Sequence, residues 1–169
     1  MKRLAILGAI FALCAGPAHA SHDTLASLTP HFDVAAFFSG RTEGIGRLKV
    51  IFRQARTVRV HGSGSIGASR ELLLNQIVEQ EGKPATRRTW VISALGDDRY
   101  GGSLTGATAP IRGNVSGNCL HLELKLRGGL MAEQWLYLQP GGRVALNQMS
   151  IRKMGIQVAR LNETIRKID

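Results

Sequence analysis

Several side chains in this sequence are of types that do chemistry, and their spacing decides whether they can. Cys119, His61, His121 and the serines Ser63, Ser65 and Ser116 supply nucleophile and base types. None lies in a G-x-S-x-G elbow, the strained strand-to-helix turn that exposes a nucleophile, so exposed polar positions account for the serines and histidines. Asp97 and Asp98 form the most suggestive carboxylate pair, yet GDDRYGG reads as a hairpin turn, where Asp bonds to its own backbone. His22, His31 and Asp33 are potential metal ligands without the helical His pairing of a metal site. These patterns point to no catalytic residue, no metal site and no cofactor.

A glycine pattern raises a different possibility. HGSGSIG, residues 61–67, places Gly62, Gly64 and Gly67 at G-x-G-x-x-G spacing after TVRV. Between a strand and a helix that spacing cradles a dinucleotide. The first strand of such a fold is buried on both faces and apolar throughout, whereas Thr57, Arg59 and His61 line one face here. Where an acid for a ribose hydroxyl is expected, the chain has Arg87 and Arg88. The following SRELLLNQIVEQ fits a helical stripe and a strand alternation equally well. Beyond Gly82 the sequence reads as strands and glycine turns, without the helices a doubly wound sheet requires. The expectation is therefore a glycine-bearing strand that leads into a turn.

Residues 1–20 read as a secretory signal: Lys2 and Arg3, an apolar run over 4–15, and the small-residue site Ala18, His19, Ala20. The run is shorter than the roughly 20 residues that span a bilayer. Cys14 lies within it, but the bulky Leu13 stands where lipoprotein processing wants a small residue. The expectation is cleavage after Ala20 and a periplasmic or secreted protein without a lipid anchor or transmembrane segment. Cleavage removes Lys2 and Arg3 and no acidic residue, which takes the full chain's +10 to +8. Such charge favours anionic partners, an anionic lipid headgroup among them. Aromatics are 5% of the chain, too few to interleave with the cations as a nucleic-acid stacking platform. Cys119 alone survives processing, which rules out an intrachain disulfide and suits an inert buried thiol.

The elements that must position these residues are short strands. Residues 21–36 read as a lead-in with a short helix in DVAAFFSG, Asp33 capping it and Gly40 stopping it. From there apolar residues recur at every second position: Leu48 and Val50, Val58 and Val60, then Leu120, Leu122, Leu124 and Leu126. Turn signals separate the runs at residues 81–83, 97–98, 127–129 and 140–142. This rhythm predicts an antiparallel meander, closed as a barrel or folded as a sandwich. The final KMGIQVARLNETIRKID fits helix and strand, with the balance toward a closing strand.

The segment RRTWVISALGDDRYGGSLTGATAPIRGNVSGN, with FFSGRTEGIGRLK before it and WLYLQPGGRVALNQMSIRKMGIQVARL after it, resembles the bacterial domain of unknown function 3833 family. Landmarks of the resemblance include Gly44, Gly46, Arg88, Trp90, Gly117, Asn118, Trp135 and Asn147. It implies an all-β, up-and-down antiparallel β-barrel of lipocalin/calycin type over residues 37–169, in envelope proteins that are often lipoproteins. The chain departs from the pattern at Glu133 and Gln134 before Trp135, and in TGAT, residues 105–108, which lacks an acid. Any activity carried by those carboxylates is thereby in doubt.

A barrel of this size fills with side chains or holds one small ligand. Arg88, Trp90, Tyr100, Trp135 and Tyr137 are the candidate ligand-binding residues, four rings with a polar handle and a cation for an acidic headgroup. The expected function is non-catalytic binding of a small lipophilic, possibly acidic, molecule. The alternatives are an envelope interaction module with a filled barrel and a weak hydrolase or isomerase.

Overall fold

A computed structural model describes residues 30–169; the signal segment, Cys14 and His22 lie outside the described residues. Ten strands follow one another: β1 (Gly40–Val50), β2 (Arg56–Ile66), β3 (Leu72–Gln80), β4 (Thr86–Gly96), β5 (Arg99–Leu104), β6 (Ile111–Ser116), β7 (Cys119–Leu126), β8 (Leu130–Leu138), β9 (Val144–Lys153) and β10 (Ile156–Lys167). Each pairs antiparallel with its chain neighbour, and β1 pairs with β10 from Thr42↔Lys167 to Val50↔Ala159, closing an up-and-down barrel. Closure leaves no free edge strand, with the shortest ladder between β5 and β6, from Arg99↔Asn114 to Gly102↔Ile111. The barrel is lipocalin-like, as the resemblance implies.

The alternation expected from sequence sets which side chains enter. Val58 and Val60, Leu72 and Leu74, Trp90 and Ile92, and Leu120, Leu122 and Leu124 all join one buried cluster. SRELLLNQIVEQ resolves as β3, its Leu72, Leu74 and Gln76 inward, and KMGIQVARLNETIRKID resolves as β10. The two central glycines of HGSGSIG lie on β2 and serve packing. A Cβ at Gly62 would overlap Thr42 Oγ1, and one at Gly64 would overlap the Phe38 carbonyl.

A short α-helix, α1 (Val34–Phe38), the one α-helix among the described residues, closes the barrel end where β1 begins. Asp33 caps it, its Oδ1 accepting from the Ala36 amide at 2.9 Å. Ser39 is already extended and Gly40 has φ +81, so the helix stops after five residues. Phe32, Phe37 and Phe38 pack edge-on and stacked against one another and are buried. Lys167 Nζ of β10 donates to the carbonyls of Phe37 and Ser39, a cation on the helix's negative end. Burying three such rings stabilises the cap by roughly 1.5–3 kcal/mol each, as an upper estimate. The opposite end, where the β1–β2, β3–β4 and β9–β10 connections lie, has no such cap among the described residues.

Candidate functional site

Under the Phe38 cap the apolar alternation of the inner face is interrupted. Gln76 follows Leu74 on β3, Gln134 stands between Ala132 and Leu136 on β8, and Glu163 stands between Leu161 and Ile165 on β10; all three are buried. Gln76 Oε1 accepts from Arg88 Nε at 2.6 Å and from Trp90 Nε1 at 2.9 Å. The Arg88 guanidinium lies 5.8 Å from the Trp90 ring centroid, within cation–π range. Across the lumen, Asn147 Nδ2 donates to Glu163 Oε2 at 2.8 Å. Gly44 and Gly46 on β1 make room for that carboxylate: a Cβ at Gly46 would lie 2.8 Å from Glu163 Cβ.

Electrostatics in this layer are set by desolvation. Burial raises the Glu163 carboxyl above its ordinary range, with the Asn147 hydrogen bond and the Arg88 charge opposing. Burial likewise lowers the Arg88 guanidinium, with Glu163 opposing. Gln134 Oε1, Asn147 Oδ1 and Glu163 Oε1 meet no donor. The void among these groups measures about 30 Å³, roughly the volume of one water. At this level of the barrel, side chains leave little room for a guest.

Larger concavities lie elsewhere. One of about 630 Å³ runs across the outer face of β1 to β4, between the row holding Arg41, Ser63 and Asn75 and the row holding Glu43, His61 and Arg87. Its lining also includes Thr42, Gly62, Gln76 and Arg88, four residues of the inward-facing row between those two. A second, of about 550 Å³, sits at the uncapped end. Its floor is the inward-facing Leu48 and Val50, and its rim holds Phe52, Arg53, Arg56 and Lys83. Arg56 crosses the β3–β4 turn and donates from Nη1 to the Glu81 carbonyl at 3.0 Å. Arg53, Arg56 and Lys83 form no ion pair among the described residues.

Of the five candidate residues, Arg88 and Trp90 meet in the lumen, and Tyr100 packs against the core from β5 with its hydroxyl raised by burial. Trp135 and Tyr137 do not join them. On β8 the inward positions are Ala132, Gln134, Leu136 and Leu138, so the two rings point away from the lumen, Trp135 half-buried and Tyr137 buried. There Trp135 stacks on His121 at 3.8 Å between centroids, and Tyr137 pairs across with Cys119. Burial pushes the Cys119 thiol up to about 11 and the Tyr137 hydroxyl up to about 12. Asp97 and Asp98 are the turn residues expected of them, both with positive φ. Among the described residues no three His, Cys, Asp or Glu side chains are grouped to hold a metal, and no helix is long and apolar enough to cross a membrane.

The comparison that decides kinship is a family profile, described as "Protein of unknown function (DUF3833)", which matches residues 11–167. This chain belongs to the DUF3833 family. Arg88, Trp90 and Asn147, three landmarks of the sequence resemblance, all reach the polar layer of the lumen. No curated protein matches this DUF3833 chain. Among solved structures it is similar to the S-type phycobiliprotein lyase CPES from Guillardia theta, with a TM-score of 0.64 at 10% identity over 88% of this chain and 98% of that one. At that identity the likeness is one of fold.

Proposed function

We propose that this DUF3833 protein is an exported, non-catalytic binder of a small lipophilic acid, held at the uncapped end of its barrel. The observation that carries the reading is the 550 Å³ concavity there, within the roughly 300–1,000 Å³ typical of small-molecule sites. Leu48 and Val50 give an acyl or ring system aliphatic surface, and Arg53, Arg56 and Lys83 surround an acidic group with unpaired cations. Cations and aliphatic surface bind an anion without supplying a nucleophile or base. A second reading, the barrel as an interaction module, is favoured by the 30 Å³ lumen.

Native mass spectrometry with lipid extraction, on protein purified from its host's envelope, separates the two. The proposal expects a chain beginning at Ser21 with a near-stoichiometric acidic lipophile that is lost in an Arg53→Gln, Arg56→Gln, Lys83→Gln variant. An apo mass, with no thermal shift from a panel of monomeric fatty acids, overturns it in favour of the interaction module.

A further inference from the structure

The two ends of the barrel differ in what they show to solvent. At the helix end the connections carry Asp33, Glu71, Asp97, Asp98 and Asp169 among basic residues; ion pairs join Arg41 to Asp169 and Arg99 to Asp97, and His31 Nε2 lies 3.2 Å from Asp98 Oδ1. At the uncapped end the connections carry Arg53, Lys83 and Arg127, and the strand ends beside them Arg56, Arg152 and Lys153, none in an ion pair among the described residues. The acid of that end's turns, Glu81, is held by the Thr57 amide at 3.2 Å. The molecule is polarised, with its surplus positive charge at one end.

The same end exposes its largest apolar side chains at loop tips. Phe52 is 95% exposed, Met154 91% and Ile156 64%. Phe52 sits at the third position of the turn closed by the Arg53 amide on the Val50 carbonyl, with φ +58, a conformation that favours glycine or asparagine. Met154 and Gly155, both with positive φ, make the two-residue β9–β10 hairpin, where asparagine is the favoured first residue. The β4–β5 hairpin at the other end is also two residues with positive φ, and there the tip is Asp97 and Asp98. One turn geometry thus carries two carboxylates at the helix end and a projecting methionine at the uncapped end. Soluble packing explains neither Phe52 nor Met154, because neither touches the core.

We infer that the uncapped end is a docking surface for an anionic lipid bilayer, with Phe52, Met154 and Ile156 entering the headgroup region and the surrounding cations meeting lipid phosphates. Apolar tips ringed by cations fit the interface between headgroup and acyl chain. The docking surface shares Phe52, Arg53, Arg56 and Lys83 with the ligand concavity, whereas Met154, Ile156, Arg152 and Lys153 lie outside it, so substitutions at those four test docking alone.

The test is co-sedimentation of the chain from Ser21 with vesicles of equal phosphatidylglycerol and phosphatidylcholine, against vesicles of phosphatidylcholine alone. Binding to the mixed vesicles that weakens with salt is expected. An Arg152→Gln, Lys153→Gln variant should bind about 25-fold more weakly, at about fivefold per cation near such a surface, and Met154→Ser with Ile156→Ser at least threefold more weakly. A control at the helix end, Arg99→Gln with Arg143→Gln, removes the same charge and should change binding less than twofold. No binding to the mixed vesicles, equal binding to both kinds, or a control that weakens as much as the rim variant overturns the inference. Binding of soluble decanoate by the Arg152→Gln, Lys153→Gln variant and by the Met154→Ser, Ile156→Ser variant should stay at wild-type level, so failure of docking is distinguishable from failure of the ligand site.

Discussion

Gly64→Ala tests the join between α1 and the barrel. Gly64 pairs with Gly40 on β1 and Leu74 on β3, so its backbone is fixed on both sides. An added Cβ would overlap the Phe38 carbonyl oxygen, lie 2.9 Å from the carbonyl carbon, and lie 3.3 Å from Leu72 Cδ1. Two of those three neighbours are backbone, so relief requires the cap to lift rather than a side chain to rotate. Overpacking of this kind costs roughly 1–3 kcal/mol, set against about 0.5–1 kcal/mol gained by replacing a strand glycine. The balance, roughly 0–2.5 kcal/mol and centred near 1, corresponds at its centre to a fall in Tm of about 2–4 °C for a domain of this size. Scanning calorimetry measures it, with Ser65→Ala on the exposed face of the same strand as the control. Hydrogen exchange of Val34 to Ser39 should accelerate in the variant. A Tm within one degree of wild type, with unchanged exchange in that segment, would refute the view that α1 is seated on β2.

Trp90→Phe keeps an aromatic ring but loses the fused pyrrole and its Nε1 bond to Gln76; chemical denaturation should show a loss of at least about 1 kcal/mol, the bond's share, with a packing loss added at this buried position. Glu163 has a raised carboxyl pKa when folded, so its contribution to stability is complete below the ordinary carboxylate range and is lost as pH rises through the raised value. Glu163→Gln should flatten that part of the stability profile between pH 4 and 8, and a profile that gains stability with pH in wild type relative to the variant would contradict the assignment. Cys119, its thiol pushed up to about 11 by burial, should react with iodoacetamide at neutral pH only as fast as the protein unfolds, read by mass against denatured controls.

Much of the fold was legible because period-two alternation and turn residues act locally. Leu120, Leu122, Leu124 and Leu126 declare an inner face on their own, and Asp97 with Asp98 declares a hairpin. Residues 69–80 did not declare themselves: Leu73 and Leu74 with Ile77 and Val78 also make a helical stripe, and only the ladders to β2 on one side and β4 on the other settle them as strand. The polar layer of the lumen left a readable signal, a single polar residue breaking an apolar inner face at Gln76, Gln134 and Glu163. Aromatic content drew attention instead to Trp135 and Tyr137. Their stretch, MAEQWLYLQ, is apolar at positions of both faces, and the choice of face falls to the partners of Leu136 and Leu138 across the barrel. The cations of the uncapped end could not be grouped from sequence, because residues 53, 56 and 83 meet only through the register of β1, β2 and β3.

The most direct test of the ligand reading is an amide chemical-shift map of the chain from Ser21 titrated with decanoate below its micelle concentration. The account predicts saturable shifts confined to Leu48 through Arg56 and Gln80 through Lys83. Shifts centred on Gln76, Arg88 and Glu163 would place the ligand in the lumen instead, and an unchanged spectrum at millimolar decanoate would contradict binding of a lipophilic acid altogether.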